Sequence, residues 1–319
     1  MHSEKSTGDP QCISVGLLVA DHLCTPIPRL PDAGQLVLAD RLPLTVGGCA
    51  SNAAIDLARA GVKVAVVGCV GSDIFGRFVI DTLARSGVET ASIRQLDGIE
   101  TSGTLIVNVA GQDRRFIHAI GANGALSPDD IPMQRVLKAR VFYIGGYLLL
   151  PALDPVRLAE RFRHARAAGV TTVLDVVVPG AGDYRKWLEP VLAETDVFLP
   201  NTDEAAILTG KHEAREQALQ LQKLGARTVV ITCGERGTVA VTPDERLFAP
   251  AHEVEYVGGT GAGDAFDAGY IAGLIEGADV RRCLEWGSAL GASCVRSVSA
   301  TESVFTRDEA LEFMRTHPL

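Results

Sequence analysis

The residues of this chain best able to do chemistry are concentrated in Gly258-Gly259-Thr260-Gly261-Ala262-Gly263-Asp264, which runs straight into Ala265-Phe266-Asp267-Ala268-Gly269-Tyr270. Four glycines in six residues let a backbone turn through positive φ and approach a ligand closely, and the residues after Gly263 read as a helix. Backbone N–H groups and the positive end of a helix dipole then surround Asp264, a setting that suits an anion and phosphate in particular. The aspartate either caps the helix or takes a proton from a group reacting beside the phosphate. The density of glycine favours the second role. A Walker A loop needs Lys-Ser/Thr after its last glycine, where Asp264-Ala265 stands. A Rossmann fingerprint needs a sixth-position glycine, where Asp264 or Phe266 stands.

Three further groups carry chemistry. Asn201 and Glu204 put an amide and a carboxylate on one side of a helix start, either as a cap or as a hard-oxygen shell for Mg²⁺. Thr232, Gly234 and Gly237 form a second glycine turn after a strand, either a tight connector or a place where a nucleotide approaches the backbone. Asp21, at the expected carboxyl end of the first strand, and Asn52, behind the pair Gly47-Gly48, are groups that hydrogen-bond sugar hydroxyls, although Asn52 fits an N-cap equally well. Asp175 reads as a strand-end acid, and the seven histidines show no metal-ligand spacing.

These residues need elements to position them. Ile13 to Val19 is a short β-branched run suited to a buried strand. Gly61, Gly169 and Gly225 each end a helical segment and precede a β-branched strand, a recurrence that implies a parallel sheet with right-handed crossovers. Further strands are expected at 141–144, 172–175, 196–199 and 228–233, with polar or glycine-rich punctuation at their carboxyl ends, so one rim of the sheet collects the chemistry. Residues 104–109, a turn at 111–113 and residues 114–118 read as a hairpin without a covering helix; with residues 22–46, including β-formers over 35–46, they form a small separate sheet, a lid. The core is expected over 11–20, 47–97 and 121–319, the lid over 21–46 and 98–120, and a loose tail over 1–10. The small residues Ala265, Gly269 and Gly273 are expected to pack closely on a neighbouring element.

A chain of 319 residues can bury a substantial core, and 47% hydrophobic with 22% charged residues is ordinary globular composition. The net charge of -9, with no Lys/Arg-rich run, excludes a nucleic-acid surface. Seven scattered cysteines without a C-x-x-C pair point to reduced thiols in a cytoplasm. The start, residues 1–10, is expected to lack the apolar stretch of a signal peptide, and no uninterrupted apolar segment approaches the length of a membrane span.

Gly47-Gly48 with Asn52, Asn201-x-x-Glu204, Thr232-x-Gly234 and Gly261-Ala262-Gly263-Asp264 lie in an order and spacing that resemble the ribokinase-like carbohydrate kinases, the PfkB family, over nearly the whole chain. The resemblance implies an α/β fold, a doubly wound, mostly parallel sheet with helices on both faces, plus a small β-sheet lid that often pairs in a homodimer. It implies ATP-dependent phosphorylation of a sugar or related alcohol, with Asp264 as catalytic base and Gly261, Ala262 and Gly263 as anion hole. Asn201 and Glu204 resemble the Mg²⁺ and phosphate positions, Thr232, Gly234 and Gly237 the nucleotide contacts, and Asp21, Gly47, Gly48 and Asn52 the sugar contacts. On this reading Asp264 is a low-pKa carboxylate that accepts the hydroxyl proton late.

Three positions depart from the family. Gly258-Gly259 replaces a common Asp-Thr and Ser299 a common glycine, in a region that often binds an activating monovalent cation, so K⁺ stays open. Cys49 stands where ribokinases proper carry lysine, which weakens ribose as the default acceptor. A nucleoside kinase of the same fold and a non-catalytic sugar- or nucleotide-binding regulator are the alternatives; Asp264 together with Asn201 and Glu204 argues against the regulator.

Overall fold

A computed structural model describes residues 8–112 and 114–319; most of the expected tail and Asp113 of the expected turn lie outside the described residues. Strand β1 (Cys12–Gly16) is buried along its whole length. Its side chains alternate between two cores, Cys12 entering one and Ile13 and Val15 the other, as a strand covered on both faces must. The expected single run to Val19 breaks at Gly16, where a Cβ would overlap the carbonyl of Gly145. The chain there leaves the main sheet for β2 (Val19–Ile27) and β3 (Leu44–Gly47) of a second one. Asp21 consequently lies inside β2, opposite Thr45, and not at the carboxyl end of the first strand. Residues 28–43 form no strand although β-formers over 35–46 led us to expect one. Pro28, Pro31 and Pro43 supply no N–H for a ladder, and Leu36 and Leu38 are 81% and 82% exposed.

Helix α1 (Cys49–Arg59) returns the chain to the main sheet through β4 (Val64–Gly71), α2 (Ile74–Arg85) and β5 (Glu89–Leu96). The hairpin β6 (Gly103–Val109) and β7 (Arg115–Ala119) completes the small sheet, whose order is β3-β2-β6-β7. Its β2–β6 pairing is parallel and the outer pairings are antiparallel. Then follow α3 (Met133–Val136), β8 (Val141–Gly145), α4 (Pro155–Ala167), β9 (Thr171–Leu174), α5 (Arg185–Leu192), β10 (Val197–Phe198), α6 (Thr202–Thr209), α7 (Ala214–Lys223) and β11 (Thr228–Thr232). The hairpin β12 (Thr238–Val241) and β13 (Arg246–Ala249) adds antiparallel strands at one edge, and α8 (Ala262–Glu276), α9 (Val280–Cys294) and α10 (Arg307–Thr316) close the chain.

The nine-stranded sheet runs β13-β12-β11-β10-β9-β8-β1-β4-β5, and every pairing from β5 to β11 is parallel. Residues of α1, α2, α8, α9 and α10 fill the core on one face, and residues of α3, α4, α5, α6 and α7 fill the other. This is the doubly wound arrangement expected. Gly269 and Gly273 press against Trp286 and Cys283 of α9, where a Cβ on either would meet backbone, so the small-residue stripe is a packing face. Trp286, Tyr270 and Phe162 are almost wholly buried, and each such side chain contributes roughly 1.5–3 kcal/mol. Among the described residues no helix is long and apolar enough to cross a membrane.

Candidate active site

The start of α8 is built as the loop composition requires. Gly261 takes φ 78° at the N-cap, and a side chain there would also strike the backbone of Ala300. The Cys294 thiol donates to the carbonyls of Thr260 (3.3 Å) and Ala300 (3.1 Å), and Arg114 Nη1 donates to Thr260 Oγ1 at 2.9 Å from the β6–β7 connection. No side chain caps the helix, so Ala262 and Gly263 present a first turn suited to an anion. Asp264, in that turn, accepts a 2.7 Å hydrogen bond from Asn52 Nδ2 of α1.

Acids gather around this pair. Asp21 rests on Gly47, where a Cβ would overlap its carboxylate, and faces Thr104 across β6. Gly48 is the N-cap of α1. Asp175 follows β9 and accepts from Gly146 N at 2.9 Å, and Tyr143 donates to Asp267 at 2.9 Å. Burial pushes Asp264 above the usual carboxylate range, against the lowering hydrogen bonds from Asn52 and Cys49. The expectation of a low-pKa base is therefore corrected: desolvation outweighs the two donors. Burial raises Asp21 to about 6, opposed by its hydrogen bond to Thr104 and reinforced by the charge of Asp264. Burial and the charges of their neighbours hold Asp175 and Asp267 well above the range. Two oxygens in this cluster are buried without a hydrogen-bond partner: Asp21 Oδ1 and Asn52 Oδ1, in residues 7% and 4% exposed.

On the neighbouring rim Asn201 Oδ1 accepts from the amides of Asp203 and Glu204, both at 2.9 Å, while Glu204 Oε2 accepts from Asn201 N at 3.0 Å. The capping arrangement expected from the spacing is thus formed. It does not exhaust Glu204, which burial raises to about 7, with the charges of Asp264 and Asp203 adding to the rise. Asn201 bridges to Thr232, which joins the two rim motifs. Gly234 has φ 59° and open space where a Cβ would be, whereas Gly237 lies against Ala249 and Pro250, so packing alone accounts for its lack of a side chain.

Sequence reasoning missed three participants. Arg114 and Thr104 come from the small sheet, with no local signal to tie them to a loop 146 residues away in the case of Arg114. Asp175 reads in the sequence only as a strand-end acid; its position at a parallel strand's carboxyl end is the available clue.

Comparison with known proteins gives this arrangement its class. The structure of Arabidopsis thaliana ribokinase complexed with ribose and ATP matches with a TM-score of 0.83 at 24% identity, over 97% of this chain and 99% of its own, so the fold is ribokinase-like. Ribokinase of Haemophilus influenzae is 29% identical over 306 residues, 94% of this chain and 97% of the relative. Aminoimidazole riboside kinase of Salmonella typhimurium is 28% identical over 286 residues, covering 86% and 89%. The chain belongs to the pfkB family of carbohydrate kinases, whose profile matches residues 10–307. It is a phosphotransferase with an alcohol group as acceptor.

Proposed function

We propose that the chain transfers the γ-phosphoryl group of Mg-ATP in line to a sugar hydroxyl, with Asp264 as the base. The observation that carries this reading is the juxtaposition at the start of α8: a carboxylate held 2.7 Å from Asn52, in a helical turn with no side-chain cap, in a cluster that contains two buried, unpartnered oxygens. Asn52 Oδ1 and Asp21 Oδ1 accept hydrogen bonds from sugar hydroxyls, and Gly47, by lacking a side chain, leaves room for the Asp21 carboxylate. The amides of Gly261, Ala262 and Gly263 receive the charge of the transferred group. Asp264 takes the hydroxyl proton late in a loose transition state, where positioning matters more than covalent help.

Asn201 and Glu204 would hold Mg²⁺, and the raised carboxyl of Glu204 is one that a divalent cation relieves. When bound, the ion neutralises charge on the phosphates. Thr232 and Gly234 flank the nucleotide, with Gly237 shaping their turn. Gly258 and Gly259 supply no side chain for an activating K⁺. The lid, over 21–46 and 98–120, closes on the acceptor, in keeping with the reach of Arg114 to Thr260, and pairs with that of a second copy. All seven cysteines are free thiols, as suits a cytoplasmic setting. A nucleoside acceptor is the second reading, supported by the likeness to a riboside kinase.

The test is a panel of pentoses, hexoses, keto acids and nucleosides with Mg-ATP, run on wild type and on Asp264→Asn. We expect turnover of a sugar or nucleoside, and a drop in kcat of about 10²–10⁴ in the variant. Folded Asp264→Asn working within a few-fold of wild type would remove Asp264 as base.

A further inference from the structure

Cys49 has no part in the phosphoryl transfer outlined above, yet its thiol sits among the acids of the site. Among the described residues, Cys49, Asp175 and Asp264 are the one group of three or more His, Cys, Asp or Glu residues whose ligand atoms all lie within 4.8 Å of one another. Each comes from a separate element and is separately fixed. Cys49 is the first residue of α1, its sulfur packed over Gly146. Asp175 is held by the Gly146 amide, and Asp264 by Asn52. The Cys49 sulfur lies within 4.8 Å of a carboxylate oxygen of each acid. A second observation points to a ligand: Asn52 Oδ1, on the side chain whose Nδ2 holds Asp264, is buried, 4% exposed and without a hydrogen-bond partner. The charges of Asp264 and Glu204 bear on both Cys49 and Asp175.

We propose that Cys49, Asp175 and Asp264 bind a thiophilic divalent cation of the zinc class, which inhibits the kinase by occupying its base. A sulfur donor with two carboxylates selects Zn²⁺ or Cd²⁺ over Mg²⁺ and Ca²⁺, which take oxygen ligands. Zinc–ligand distances of about 2.0–2.3 Å require the donors to close by roughly 1 Å, within reach of side-chain rotation. On binding, the S–H bond breaks, the thiolate sulfur bonds the metal and the proton leaves to solvent, as does any proton on the carboxylates; no electron is transferred. Affinity therefore increases as pH rises. Only the inhibitory half rests on the kinase reading.

The experiment uses the full chain, Zn²⁺ in competition with a chromogenic chelator, and Cd²⁺ with the ultraviolet thiolate-to-metal charge-transfer band as readout. Wild type is expected to take up one tight equivalent of Zn²⁺, undisplaced by millimolar Mg²⁺, and to show the Cd²⁺ band. Cys49→Ser should lose the band, and Cys49→Ser and Asp175→Asn should each bind Zn²⁺ at least tenfold more weakly. Cys233→Ser, a control for the half-buried thiol near Thr232, should bind as wild type does. Unchanged affinity in folded Cys49→Ser, or no tight equivalent in wild type, overturns the site. Tight binding that leaves sugar phosphorylation unaffected overturns the inhibition. Tight, Cys49-dependent binding by a protein that phosphorylates nothing in the acceptor panel supports the metal site while refuting the kinase reading.

Discussion

Asp264 is subject to opposed influences that can be separated experimentally. Burial raises its carboxyl, and the Asn52 amide lowers it by bonding the charged form. On the proposal that Asp264 is the base it must be ionised, so activity is expected to fall as pH drops through its pKa. Removing the Asn52 donor raises that pKa further, and the acid limb of the kcat/KM profile is expected to move to higher pH in Asn52→Ala. The same variant loses hydrogen bonds to a charged partner and to the acceptor, so its sugar KM should rise about 10–100-fold. An acid limb that stays in place would mean that the Asn52 bond does not govern the base. Neither influence could be read before the fold was known, because a Gly-Asp step is the same in sequence whether or not it is buried.

At the scale of elements, α1 contains an anomaly one turn beyond Asn52. Asp56 is completely buried, and neither carboxylate oxygen has a hydrogen-bond partner. Burial pushes its carboxyl well above the ordinary range, the charge of Asp264 adds to the rise and Arg59 opposes it. A carboxyl raised on folding contributes its stability at low pH, below the unfolded pKa, and loses it as pH rises through the folded value. Relative to Asp56→Asn, the wild type should lose about 1.4 kcal/mol per pH unit across that window, and the variant should melt higher at pH 8 by a margin that shrinks towards pH 5. Equal melting at both pH values would show that Asp56 is compensated. Elements such as α1 were legible because a glycine pair opens it and Gly61 closes it, and the β-branched runs before and after Gly169 and Gly225 placed β8, β9 and β11 correctly. The break at Gly16 was not legible, since Ile13 to Val19 reads as one apolar run and only the approach of Gly145 divides it. The hairpin β12–β13 escaped for a related reason: an edge extension obeys no helix-then-strand rhythm. Local composition singles out Asp264, Asn52 and Gly261, which the structure brings to the start of α8, whereas the meeting of Cys49 with Asp175 depends on crossovers that no local pattern encodes.

For the molecule as a whole, the small sheet sets Leu44, His22, Leu105 and Ile117 opposite one another in register across its four strands, with Leu44 packed on the main core and Leu105 and Ile117 exposed. Leu105 is 41% and Ile117 66% exposed, an apolar strip of the kind that marks a contact surface. If the sheets of two copies pair there, light scattering should give a dimer for wild type and a monomer for Ile117→Lys, with the main-sheet core unaffected. A wild-type monomer at micromolar concentration would refute the pairing. The bond between Asn52 and Asp264 joins residues 212 apart in sequence. During synthesis, therefore, the first sixty residues are made long before the helices that cover α1. The apolar face of α1 must wait for α8 and α9, so the growing chain carries exposed core while the residues between them are made. A nascent chain released before α9 would leave the apolar face of α1 uncovered and be prone to aggregation.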